Sequence, residues 1–138
     1  MYFADLPGYG YARGGDASVA ELARVADEYF GTALPGDRAR GVGPASGAVR
    51  IALVVHVLDA RHPGLEADVH ARDWLQSIGI ERATVANKID KLSRAERAKN
   101  LRELERTFGM AALPVSAADG EGLDDLWRLI AKLSRQQP

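Results

Sequence analysis

The apolar run Ile51-Ala52-Leu53-Val54-Val55-His56-Val57-Leu58, closed by Asp59, sets the tightest limit on what this chain can fold into. It has almost no polar/apolar alternation and is rich in β-branched residues, the pattern of an interior strand covered on both faces of a parallel sheet. Parallel neighbours cannot be joined by hairpins, so each needs a crossover, usually a helix. The flanking sequence supplies them. Leu65 to Ile78 carries Val69, Ala71, Trp74, Leu75 and Ile78 at helical spacing and is stopped by Gly79. Arg82 to Ala86 reads as the next strand. Ser93 and Glu96 form a capping box opening a helix whose Ala98, Leu101, Leu104 and Phe108 share a face until Gly109. Ala111 to Val115 is a short strand, and the closing helix places Leu123, Leu126, Trp127, Ile130 and Leu133 on one face.

Towards the amino terminus, Tyr2 to Ala4 reads as a strand ended by the turn Pro7-Gly8-Tyr9-Gly10. Ser18 and Glu21 then cap a helix with Val19, Leu22, Ala23, Ala26, Tyr29 and Phe30 on its stripe, and the Gly/Pro-rich stretch Pro35 to Arg50 is a loop. The alternation of strands and helices predicts an α/β fold, a mostly parallel sheet with right-handed crossovers and helices on both faces. A chain of 138 residues fits one domain. Its 18 Lys plus Arg against 19 Asp plus Glu argue against electrostatic coating of DNA. No apolar run nears the roughly 18 residues that span a bilayer, so membrane insertion is not expected. Without cysteine there is no disulfide, thiolate zinc site or cysteine nucleophile, and no signal-peptide pattern opens the chain, so a cytoplasmic location is expected.

In such folds ligands sit beyond the carboxyl ends of the strands. Three polar or glycine-rich stretches fall there, after Ala4, Ala86 and Val115, and are expected to converge on one rim. In Asp5-Leu6-Pro7-Gly8 a carboxylate can hold the water shell of Mg²⁺, and the Gly8 N–H can approach a γ-phosphate without a side chain in the way. In Asn87-Lys88-Ile89-Asp90 the Asp90 carboxylate can accept from both the ring N–H and the exocyclic amine of guanine, which adenine does not offer together. Lys88 can lay its alkyl stem along the base, and Asn87 can tie neighbouring loops. Ser116-Ala117 offers backbone N–H groups that can reach a base carbonyl. Tyr9 and Tyr11 suit a switch or partner contact as well as packing. The three histidines show no metal-ligand spacing, and His56 reads as structural. Arg94, Arg97, Lys99, Arg102 and Arg106, interleaved with Glu96, Glu103 and Glu105, read as a salt-bridged solvated face rather than an RNA-binding one.

Together these motifs resemble the third, fourth and fifth signatures of the translation-factor-related P-loop GTPases. The string Asp5-Leu6-Pro7-Gly8-Tyr9-Gly10-Tyr11-Ala12, with Asp59-x-Arg61-His62, Asp68 and Trp74-Leu75, is similar to the EngB family of ribosome-biogenesis GTPases. The resemblance covers nearly the whole chain. It implies a Ras-like three-layer sandwich and binding of GTP or GDP through Asp5, Leu6, Pro7, Gly8, Asn87, Lys88, Ile89, Asp90, Val115, Ser116 and Ala117. It further implies Mg²⁺ held outer-sphere by Asp5, slow GTP hydrolysis, and a role on the large ribosomal subunit or its RNA, with effects on cell division and septation.

The sequence holds no G-x-x-x-x-G-K-[S/T], so the phosphate-loop lysine and the direct Mg²⁺ ligands of the family are not in it. The expectation is one amino-terminally truncated G domain over residues 1–138, lacking a central strand and prone to instability, with 36–49 as a glycine-rich insertion. The alternative is a non-catalytic module that binds guanine nucleotide or the ribosome without hydrolysis.

Overall fold

The computed structural model describes residues 53–77 and 81–135, together with Phe3, Asp5 and Arg24. The chain divides into two compact units, Met1–Ile51 and Ala52–Pro138. In the first, Arg24 is helical, as the Ser18 capping box predicts, whereas Phe3 is irregular and exposed and no described ladder reaches it. The turn Leu6-Pro7-Gly8, both tyrosines after it and the 36–49 loop lie outside the described residues.

The second unit runs β1 (Val54–Asp59), α1 (Glu66–Ser77), β2 (Arg82–Asn87), a 3₁₀ turn (Ile89–Lys91), α2 (Arg94–Phe108), β3 (Leu113–Pro114) and α3 (Leu123–Arg135). The sheet is parallel in the order β1-β2-β3, with Asp59 opposite Asn87 and Ala86 opposite Pro114. Both crossovers step the same way across the sheet. Right-handed connections therefore put α1 and α2 on one face, where they touch each other.

The strand covered on both faces is β2, whose Ala83, Thr84, Val85 and Ala86 are all buried, and not β1 as the apolar run predicts. In β1 burial alternates: His56 and Leu58 are buried while Val57 between them is 56% exposed. Among the described residues β1 pairs with a strand on one side only. β3 is shorter than expected because Pro114 has no N–H for the ladder, although Val115 N–H still donates to Ala86 O at 2.9 Å.

Local signals are met closely at α2. Ser93 Oγ accepts from Glu96 N–H, Glu96 Oε2 accepts from Ser93 N–H at 2.8 Å, and Gly109 ends the helix at φ +70°. Leu104 and Phe108 of α2 pack with Leu58, Ala60, Ala86, Ile89 and Ala112 into the core, edged by Val69, Leu92 and Leu101, whereas Ala98 faces solvent. Arg72 joins α1 to α2: its guanidinium donates to Thr107 O and lies 5.6 Å from the Phe108 ring centre. In α3 Ile130 is buried, but Trp127, expected to pack, is 56% exposed. None of the described helices is long and apolar enough to cross a membrane.

His56 is the costly residue in this core. It is 6% exposed, packs edge-on to Phe108, and neither ring nitrogen has a hydrogen-bond partner among the described residues. Burial first, and the Arg82 charge second, lower its pKa from 6.5 to about 4. The unfolded chain therefore takes up a proton that the folded chain refuses as pH falls from 6.5 towards 4. Stability drops across that window, by on the order of 3 kcal/mol at most. Chemical denaturation at a series of pH values checks this, and His56→Leu is expected to remove the slope while costing little at pH 7, because it also removes unpaired polar atoms.

Candidate functional site

The carboxyl ends of β1, β2 and β3 meet at Asn87. Its side-chain oxygen accepts from Lys88 N–H at 2.8 Å and from Ala117 N–H at 3.1 Å, latching the loop after β2 to the loop after β3. Its backbone oxygen accepts from Ala60 N–H at 2.9 Å, which brings in the end of β1. Ile89 N–H donates to Val115 O at 3.4 Å, and Ile89 is buried beneath the turn. Of the three stretches expected to share a rim, two are thereby brought together, Asn87, Lys88, Ile89 and Asp90 with Val115, Ser116 and Ala117; Leu6, Pro7 and Gly8 of the third lie outside the described residues.

Asp90 is aimed by Ser116, which is fully buried. The Ser116 hydroxyl accepts from Asp119 N–H at 3.3 Å and donates its proton to Asp90 Oδ1 at 2.9 Å. Lys91 Nζ lies 3.1 Å from Asp90 Oδ2. The Ser116 hydrogen bond first, then Lys91, hold the Asp90 carboxyl below the usual carboxylate range, so at neutral pH it only accepts. Each carboxylate oxygen has two lone-pair sites; Ser116 binds at Oδ1, Lys91 at Oδ2, and the Asp90 backbone N–H also bonds the carboxylate. An ionised carboxylate is by its chemistry an acceptor suited to two parallel N–H donors.

The Ser116 and Ala117 N–H groups do not stand ready for a base carbonyl, as the sequence suggests. Ser116 N–H donates to Glu121 O at 2.9 Å and Ala117 N–H to Asn87, because this loop folds back on itself to place the Ser116 hydroxyl. Two features of that loop escape motif reading. Arg97 of α2 grips Glu121 through two bonds of 2.7 and 2.6 Å, and Gly122, at φ +79°, passes so close to Pro114 that a Cβ would lie 2.2 Å from its carbonyl oxygen. Neither has a periodic or local signature in the sequence.

Asp5 is exposed and belongs to the first unit, and Leu6, Pro7 and Gly8 are outside the described residues. Among the described residues no group of three or more His, Cys, Asp or Glu side chains could hold a metal ion.

A parallel sheet carrying Asn-Lys-x-Asp after one strand and Ser-Ala after the next, on one rim, belongs to the α/β P-loop GTPase class of folds. A crystal structure described as a probable GTP-binding protein engB matches 96% of this chain and 76% of its own, with a TM-score of 0.68 at 22% identity, which shows the fold. No protein-family model matches. Curated proteins named "Probable GTP-binding protein EngB" align over nearly all of the chain. The one from Anaeromyxobacter sp. (strain K) is 37% identical over 99% of it, and that from Thermosipho africanus 35% over 94%. The Thermotoga maritima protein is 30% identical over 98%. The chain belongs to the EngB family, and it spans 57% to 64% of the length of these relatives.

The two loop glycines give a paired prediction. At Gly120, φ +88°, an added Cβ meets open space, so Gly120→Ala costs only the left-handed backbone strain, about 1 kcal/mol. Gly122→Ala adds the collision with Pro114 and is expected to cost about 2 kcal/mol or more. Thermal melts of the two variants check the order.

Proposed function

We propose that this chain binds a guanine nucleotide, GTP or GDP, with Asp90 reading the base. The observation that carries this reading is the ionised Asp90 carboxylate, oriented from the neighbouring strand end by the buried Ser116 hydroxyl; a carboxylate can accept two parallel N–H donors. Guanine presents two such donors on one edge, N1–H and the exocyclic amine; adenine presents an unprotonated nitrogen beside its amine and leaves one acceptor facing a lone pair. Asn87 keeps the loops that carry Asp90 and Ser116 in register, and Lys88 flanks the site. The names of the relatives, as GTP-binding proteins, support the same ligand.

The biological setting rests on the family resemblance alone: cytoplasmic action on the large ribosomal subunit or its RNA, with an influence on cell division. Phosphate contacts through Asp5 and Gly8, and Mg²⁺ held by Asp5, belong to the same reading. A binding-only role without hydrolysis is the second reading. GTP bound more tightly with Mg²⁺ than without, and turned over, would contradict that second reading; guanosine bound as well as GTP, with no turnover, would support it.

Asp90→Asn tests the base reading directly. The amide replaces one acceptor by a donor, so guanine nucleotides should lose roughly a hundredfold in affinity as one hydrogen bond is lost and two donors are forced together. Xanthine, with a carbonyl in place of the exocyclic amine, should become the preferred base. Calorimetric titration with GDP and xanthosine diphosphate checks the switch; unchanged GDP affinity in the variant would overturn the reading.

A further inference from the structure

Lys88 stands out in the backbone. It is the single non-glycine residue with positive φ among the described residues, at φ +67° and ψ +30°. A left-handed side-chain-bearing residue is disfavoured and persists only where its surroundings hold it, so such outliers point to function. Both ends of Lys88 are held. Its N–H is bound by the Asn87 side chain, and its Nζ lies 3.0 Å from Asp59 Oδ2, a residue 29 positions earlier at the end of β1.

Asp59 is itself fixed. Its Oδ1 accepts from Arg61 N–H at 3.0 Å and from Arg61 Nε at 2.9 Å, and its Oδ2 accepts from Arg61 Nη2 at 2.6 Å. The fork of Arg61 leaves the carboxylate no freedom to turn away from Lys88. The strand register places Asp59 directly opposite Asn87, so the Lys88 stem is stretched from the end of β2 to the end of β1, across the rim that bears Asp90.

We propose that Asp59, locked by Arg61, is a positioning residue for the base site: it fixes the Lys88 stem as a preformed rail along which a planar base lies when its edge meets Asp90. The proposal rests on the guanine-reading role given to Asp90. Without Asp59 the long, flexible Lys88 side chain is ordered only when the ligand binds, so affinity falls while the base preference stays.

A double-mutant cycle tests this, with GDP and ADP titrated calorimetrically into the chain and into Asp59→Asn, Lys88→Met and the double variant. Arg61→Ala serves as a second way to loosen Asp59. If Asp59 acts through Lys88, Asp59→Asn weakens GDP binding by about tenfold, and Arg61→Ala by a smaller factor in the same direction. Neither change weakens it further once Lys88 is Met. Losses that multiply instead, or GDP binding unaffected by Asp59→Asn, would overturn the proposal. Melting temperatures, read alongside, separate a merely structural Asp59, whose loss would lower stability and affinity alike in both backgrounds. Equal binding of GDP and ADP by the unaltered chain, or binding of neither, would instead overturn the guanine reading and this inference with it. Preference for GDP together with multiplying losses would leave that reading standing and remove only the role of Asp59.

Discussion

The candidate site depends on one amide oxygen. Asn87 Oδ1 accepts two backbone N–H groups, one from the next residue and one from Ala117 thirty positions on, and so fixes two loops with a single atom. The first bond supports the unusual backbone of Lys88; the second sets the loop that carries Ser116. Because the Asn87 carbonyl also binds Ala60 N–H, the ends of all three strands are tied at this residue. Aspartate has the acceptor geometry but would bring another negative charge beside Asp59 and Asp90, and alanine would release both loops.

Around that latch the charges are arranged to keep acceptors as acceptors. Arg61 and then Lys88 hold the Asp59 carboxyl well below its ordinary range against the opposing effect of burial, and Ser116 does the same for Asp90. Asp68 is pushed the other way, by burial first and by the Asp59 charge second. The interior beneath is apolar and poorly suited to charge, which is why His56 stays neutral there. The polar rim and the apolar layer under it are two consequences of one topology: in a parallel sheet every strand delivers its last residue to the same edge.

Features of short range were legible in the sequence. The Ser93/Glu96 box and the Gly109 stop are each written within a few residues and appear where expected. The Asn87–Asp90 and Ser116–Ala117 stretches fall on one rim because strand polarity alone decides that. What the sequence concealed is non-local. The Asp59–Lys88 and Arg97–Glu121 pairs join residues 29 and 24 positions apart with no repeating pattern to announce them. An apolar run shows that Val57 can be buried, not that a neighbour covers it; among the described residues it is β2 whose middle is buried on both faces. The same ambiguity made Trp127 look like a core residue. Backbone N–H groups of Ser116 and Ala117 looked available because sequence does not reveal a loop that closes on itself.

The most direct measurement of the central claim, that the rim held by Asn87 reads guanine, is the amide ¹H–¹⁵N spectrum of the chain titrated with guanosine and, separately, adenosine. The account predicts saturable shifts with guanosine at Lys88, Asp90, Ser116 and Ala117, with none at Gly109 or Met110 on the opposite edge of the sheet, and no response to adenosine. Shifts at the opposite edge, or the same response to both nucleosides, would contradict it.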